Sequence, residues 1–280
     1  MSGTRSDVRS DVRADARADE GVGGIDADAA AYLALLSAQG VAVTGAQSSA
    51  IDAFYVTGKD EGWYSTLKRI FLPIWGAAAP NAICMVSGSS GTYSGTVTHA
   101  SGYVQSNGST GYFDLGTSAS ALSITTTGGG LFALVYDAST QNHCHIGTHQ
   151  SSSQYFSIMS DATGPRYRTV PFTTIRQQLV NESYANMEGV FLLVRDGGDD
   201  VYYSRKAAGI AELDRATQAV SGSVTSINHY AMALNSLSTP AQFSNAKYGS
   251  WGMTEGAIAA SGFTSALQTL WETTTGLSLP

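Results

Sequence analysis

Charge is scarce in this chain of 280 residues: Asp, Glu, Lys and Arg supply 13% of it, roughly half the usual share. With 43% hydrophobic residues and 14 tyrosines beside it, that scarcity excludes a disordered, solvating polypeptide. It equally excludes coiled coils and helical solenoids, which are built from Glu, Lys and Leu. Cations are the rarer sign, 15 against 22 acids for a net charge of −7. They gather in no stripe that could track a phosphate backbone, so no nucleic-acid partner is expected. No apolar run approaches the ~18–20 residues of a membrane span. No apolar h-region follows the first Met, so neither membrane insertion nor a secretory signal is expected. Cysteine is limited to Cys84 and Cys144, which form no CxxC or zinc-ligand pattern. Two buried reduced thiols are one reading and a single disulfide the other.

What the chain does have is turn chemistry. It carries 31 glycines among plentiful Ser, Thr, Tyr and Val, a mixture that reads as many short strands joined by loops. The length suffices for a core without covalent staples. Three regions separate: an extended or flexible anchoring arm over 1–28, a helical subdomain over 29–76, and a sandwich with a closing helix over 77–280.

The arm holds a four-residue repeat: Ser6-Asp7-Val8-Arg9, Ser10-Asp11-Val12-Arg13, Ala14-Asp15-Ala16-Arg17, Ala18-Asp19. A helix would stack Arg on Arg and Asp on Asp at i,i+4, which repels. An extended strand sorts the same letters: Arg and Asp alternate on one face, Ser, Val and Ala line the other. Such a strand suits addition to another subunit's sheet or groove. Arg5, Val8, Arg9, Val12, Arg13 and Arg17 are therefore candidate anchoring residues. A solvated charged tail is the competing reading.

After the Gly21–Gly24 hinge, Asp26 or Asp28 caps a helix through Tyr32 and Leu36 that stops at Gly40. Thr44 or Ser48 opens a second helix through Ile51, Phe54 and Tyr55, ending near Gly58. Trp63, Leu67, Ile70, Phe71 and Trp75 follow, too aromatic to lie exposed. This region is expected against the β domain or a neighbouring subunit, and a homo-oligomer is expected. From Ala82 the pattern turns to period two. Expected strands include Ile83–Val86, Ser120–Thr125, Gly130–Tyr136, His143–Thr148, Tyr155–Met159, Glu188–Arg195, Val201–Lys206, Ser226–Leu234 and Ala246–Met253. Hairpins are expected at Asp196–Asp200 and around Asn107-Gly108. Gly128-Gly129-Gly130 reads as a loop. Strands without intervening helices imply two antiparallel sheets face to face. Phe263, Ala266, Leu267, Leu270 and Trp271 give the closing helix.

One order of motifs stands out: Ala50-Ile51-Asp52-Ala53-Phe54, Gly62-Trp63-Tyr64-Ser65-Thr66-Leu67, Asn81-Ala82, Gly102 to Gly116, and Ser250-Trp251-Gly252-Met253-Thr254. Over roughly residues 45–277 the chain resembles the concanavalin A-like (laminin G-like) jelly-roll proteins of tailed-bacteriophage virions. The resemblance implies a mainly β jelly-roll sandwich with an architectural or host-surface-binding role. It implies a head-decoration, fibre or tail component, assembled in the host cytoplasm and partnered by capsid or tail subunits. The repeat at 5–19 is not a feature of that family.

Chemistry is sparser. His143-Cys144-His145 with His149 is the cluster of metal-type ligands. On a strand His143 and His145 share a face with Cys144 pointing to the core, and His149 or a distant carboxylate would be the third ligand. Exposed strand histidines are the plainer account. Glucanases on this fold carry Glu-x-Asp-x-x-Glu; here Glu212 and Asp214 have the first spacing, but Arg215-Ala216-Thr217 follow. Glu188, Asp196, Asp199 and Asp200 sit at strand ends and in a turn. No Gly-x-Ser-x-Gly elbow or P-loop Lys emerges. No catalytic residue, enzyme activity or cofactor is assigned. A glycan site needs aromatic faces and short polar side chains. Tyr155, Tyr202, Tyr230 and Asn228 are the candidates, with Tyr167, Tyr203, Asn142 and Asn235 of similar type. Asp114 and Asp137 suit calcium by residue type alone. The expectation is a non-enzymatic virion structural protein held by its N-terminal region with the sandwich displayed outward. A host-surface glycan-binding adhesin is the alternative, and a polysaccharide-degrading enzyme the second.

Overall fold

The computed structural model describes residues 24–138, 143–151, 154–161, 164–170, 176–179, 188–197, 199–206, 209–217, 223–256 and 258–279. Arg5, Val8, Arg9, Val12, Arg13, Arg17 and Asn142 lie outside the described residues. The chain opens with α1 (Ala27–Ala38), α2 (Gly45–Asp60), β1 (Leu67–Phe71), the short α3 (Ala78–Asn81), β2 (Thr92–Ser94), β3 (Val97–Ala100), β4 (Tyr103–Ser106) and β5 (Tyr112–Asp114). Longer strands follow: β6 (Gly128–Asp137), β7 (His143–Ser151), β8 (Gln154–Asp161), β9 (Gly164–Val170), β10 (Arg176–Leu179), β11 (Gly189–Asp196), β12 (Asp199–Lys206) and β13 (Gly209–Thr217). It ends with β14 (Tyr230–Ala231), β15 (Leu234–Ser236), β16 (Thr239–Ala241), β17 (Lys247–Thr254) and α4 (Ala260–Thr275).

The fold is mainly β, a jelly-roll sandwich of two sheets. Among the described residues, the first sheet runs β13-β12-β11-β6-β17-β4-β3, with β1 also on β17. The second runs β10-β9-β8-β7-β14-β5-β2, with β15 on β7 and β16 on β15. All pairings are antiparallel except β15 on β7.

Alternation along β6 and β11 shows how the layers stack. Leu131, Ala133, Val135, Phe191 and Leu193 face the second sheet, meeting Phe113, Ile146, Phe156 and Ile158. Phe132, Leu134, Val190, Leu192 and Val194 face the other way, onto Tyr32, Phe54, Trp63, Phe263, Leu267 and Trp271 of the helical layer. The first sheet is thus covered on both sides, and its central strands are unbroken apolar runs for that reason. The aromatic residues of the N-terminal half pack on this chain's own sheet. Among the described residues no helix is long and apolar enough to cross a membrane.

Local chemistry explains the helices. Asp26 caps α1 by accepting from the backbone N–H groups of Asp28 and Ala29, and its carboxylate also binds Lys59 of α2 at 2.7 Å. Thr44 and Gln47 form a reciprocal capping box at the start of α2. Helix α2 closes at Asp60, near Gly58 as expected, and position 58 is glycine because a Cβ there would come within 2.6 Å of the Trp63 ring. Gly249 does the same for α4, where a Cβ would meet the indole nitrogen of Trp271 at 2.2 Å. That nitrogen donates to the carbonyl of Gly102 at 3.0 Å.

Several expectations are corrected. Within 29–76, Leu67–Phe71 is a strand, because β17 offers an edge and the sequence places Ile70 in one core and Phe71 in the other. Strands β4 and β5 do not form a hairpin around Asn107-Gly108; they belong to opposite sheets. The Asn107 side chain instead gathers the N–H groups of Ser109, Thr110 and Gly111 at 2.9–3.1 Å, turning the chain from one sheet to the other. Gly128–Gly130 begin β6, where side chains of Ile124 and Thr254 leave no room for a Cβ at 129 and 130. Ser120–Leu122 is a 3-10 turn, and only Tyr230–Ala231 and Leu234 of the strand expected over 226–234 are extended. The hairpin joining β11 and β12 falls where expected, with Asp196 opposite Asp199.

Trp271→Ala removes a buried indole, its hydrogen bond and its contact with Tyr136 at 5.1 Å between centroids. It should lower stability by about 3–5 kcal/mol, read as a shift in the urea midpoint. A loss under ~1 kcal/mol would show that the helical layer is not integral to the fold.

Candidate functional site

The second sheet buries Phe113, Ala231, Ile146 and Ile158 inward, so their strand neighbours project from its other face. Register sets those neighbours in rows. Asp114 lies opposite Tyr230, Tyr230 opposite Gly147, and Gly147 opposite Ser157. In the next row His149 faces Tyr155, with Ser236 of β15 on its other side. Gly147, Ser157 and Tyr230 are buried, whereas Tyr112, Asp114, Asn228, His149, Tyr155 and Ser236 are each partly exposed. The accessible groups form a polar and aromatic band.

Hydrogen bonds hold the band in place. The Asn228 amide donates to both Asp114 carboxylate oxygens at 3.1 and 3.2 Å. The Gly116 N–H donates to the same carboxylate at 2.8 Å. Asn235 in turn donates to the Asn228 carbonyl at 2.7 Å. Beside the carboxylate, the Tyr112 ring lies on Tyr230 at 4.6 Å. Burial, and then the Asp114 charge, push the Tyr230 hydroxyl above its usual pKa, so it remains a neutral donor. Further along, His149 and Tyr155 stack at 3.8 Å with planes 6° apart, and His149 Nδ1 meets the Ser236 hydroxyl at 3.1 Å.

The structure thus brings Tyr155, Tyr230 and Asn228 to one face and removes Tyr202 from it. Tyr202 is 0% exposed within the core between the sheets and has no ring face to offer a sugar. Tyr230, at 8% exposure, backs the more open ring of Tyr112. Tyr203 packs toward the helical layer, Asn235 is buried, and the Tyr167 side chain lies outside the described residues. Tyr112 was missed as a ligand group, and Asp114, named for calcium by residue type, was missed for a saccharide. Their i,i+2 spacing around the apolar Phe113 was the available signal.

The histidine cluster is also corrected. His145 is the extra residue of a bulge between Cys144 and Ile146, so it turns inward. Its Nδ1 meets the Tyr248 hydroxyl at 2.7 Å, and its ring lies edge-on to His143 at 5.2 Å. Cys144 packs instead with Met159 and Leu234. His149 is placed in the outward row by its register opposite Tyr155. Among the described residues no three His, Cys, Asp or Glu side chains come together as a metal-holding group. Both cysteines are buried thiols. Glu212 is clamped by Arg215 through two hydrogen bonds of 2.9 and 2.8 Å, which lower its pKa; the Asp214 side chain lies outside the described residues. The Asp137 carboxylate pairs with Lys247 at 2.6 Å.

No protein-family model and no curated protein sequence matches the chain. Solved structures share its fold. Botulinum neurotoxin type C, whose passage into cells depends on interaction with two ganglioside molecules, aligns with a TM-score of 0.51 and 7% identity over 75% of this chain. Trypanosoma rangeli sialidase, solved with sialic acid, aligns with a TM-score of 0.50 and 8% identity over 78% of it. This chain spans 52% of the toxin chain and 38% of the sialidase chain. At these identities the likeness establishes a shared β-sandwich.

The buried histidines generate a pH dependence. Burial lowers the pKa of His143 to about 4 and that of His229 to about 3. His145 is held well below its usual value by burial and then by the charge of His143. The unfolded chain takes up these protons near pH 6.5, before the folded one does. The contribution of these histidines is therefore constant above pH 7 and is lost as pH falls from about 6.5 toward the folded values, by about 1.4 kcal/mol per unit per histidine. Among the described residues, neither ring nitrogen of His229 has a hydrogen-bond partner. His229→Phe should therefore leave stability at pH 7.5 equal or higher and reduce the slope between pH 6 and 4 by about one proton. Urea midpoints across that range measure it, and an unchanged slope would refute it.

Proposed function

We propose that this chain is a non-catalytic saccharide-binding sandwich whose ligand lies on the band of the second sheet. The observation that carries the reading is the Asp114–Asn228 pair, partly exposed and fixed beside the Tyr112 ring. A carboxylate accepts hydrogen bonds from neighbouring sugar hydroxyls more strongly than a neutral acceptor. An amide can both donate and accept, and an aromatic face packs the C–H side of a pyranose. The hydrogen bonds from Asn228 and Gly116 keep the carboxylate in position before a ligand arrives, which limits the ordering cost of binding.

The two solved proteins above meet gangliosides or sialic acid, which brings saccharides forward as the ligand class to test. Glu212, the acid with partial glucanase spacing, is engaged by Arg215 on strand β13; the reading assigns it no reaction. We propose further that the sequence repeat from Arg5 to Asp19 tethers the chain to capsid or tail subunits of a virion, with the sandwich as the ligand-binding head.

A glycan array probed with the full chain tests this. Binding to a defined set of glycans is expected, weakened at least tenfold by Asp114→Ala and by Asn228→Ala with little change in Tm. A blank array, or undiminished binding by Asp114→Ala, would remove the reading.

A further inference from the structure

The hairpin joining β15 to β16 departs from ordinary turn chemistry. Ser236 pairs with Thr239, leaving Leu237 and Ser238 as a two-residue turn. Both have left-handed backbone, with φ of +54° and +68°. Turns of this kind favour Asn-Gly, because a Cβ is strained at positive φ. Leucine is doubly unfavourable here. The residue is also 63% exposed, the highest value among the large exposed hydrophobic residues Ile25, Leu35, Val56 and Leu237. Strain and exposure together are the marks of a residue kept for contact with something else.

Its position says what that contact is. The Leu237 N–H donates to the His149 carbonyl at 2.8 Å, the Ser236 hydroxyl meets His149 Nδ1, and the His149 ring lies on Tyr155. The tip is therefore fastened to the band on which the saccharide reading rests. A single leucine flanked by Ser236, Ser238 and Thr239 cannot hold a protein interface, which needs about 800 Å² from each partner. It is the right size for one methyl group.

We propose that Leu237 is a specificity-determining residue that favours saccharides bearing a methyl-terminated group, either an acetamido group or the C-methyl of a 6-deoxy sugar. The proposal rests on the saccharide reading above. Laying one methyl on Leu237 is worth about fourfold in affinity.

The test uses immobilised glycans ending in matched pairs: N-acetylglucosamine against glucose, and D-fucose against D-galactose. The full chain should bind the methyl-bearing member of at least one pair about fourfold more tightly, and the responding pair tells acetamido from 6-deoxy. Leu237→Asn, which suits a left-handed backbone, should abolish that preference while Tm stays equal or rises. Equal binding within both pairs, or binding only to other glycans, overturns the role of Leu237 and leaves the saccharide reading standing. No binding to any glycan overturns both. A preference that survives Leu237→Asn, or a lower Tm in that variant, also overturns the assignment.

Discussion

The architecture depends on one constraint: the first sheet is apolar on both faces and must be covered twice. Leu131 to Val135 and Val190 to Val194 alternate between two cores, and burying such runs is the main stabilising term of the fold. The second sheet covers one face. The other is covered by α1, α2, α4 and the segment that follows α2, whose aromatic rings interlock with it: Trp63 on Phe263 at 5.4 Å, and Phe263 on Phe132 at 4.8 Å. The helices are thus the third layer of a common core. This arrangement leaves the outward side of the second sheet as the surface on which polar and aromatic groups can be displayed.

The architecture was legible because period-two alternation, capping residues and turn signals agree with it. Asp26 and Thr44 cap the helices as their residue types demand, and the Asp196–Asp200 hairpin forms in register. Failures occurred where long-range packing overrides local preference. Gly128 to Gly130 read as a loop yet start a central strand, since neighbouring side chains exclude a Cβ. Strand β13 shows no apolar alternation because it lies at a sheet edge, where Glu212 and Arg215 face solvent.

The site was less legible than the fold. Tyr155, Tyr230 and Asn228 are of the right type and reach one face, but Tyr202 has the same local pattern and lies in the core. Nothing local distinguishes them. Which face of a strand is buried depends on the sheet it joins, and for β7 a single bulge reverses the assignment at His145. The pairing of Asn228 with Asp114, separated by 114 residues, is a product of topology that no short motif encodes.

The position of β17 has a consequence for biosynthesis. It pairs with β6, β4 and β1, yet it follows all three in the chain and comes after β13 as well. Strands β6, β11, β12 and β13 can pair while the nascent polypeptide is still emerging. The β3–β4 hairpin and β1 must wait for the strand that joins them to it. Until then the ribosome-bound intermediate displays a greasy, unzipped seam, the kind of surface that recruits chaperones.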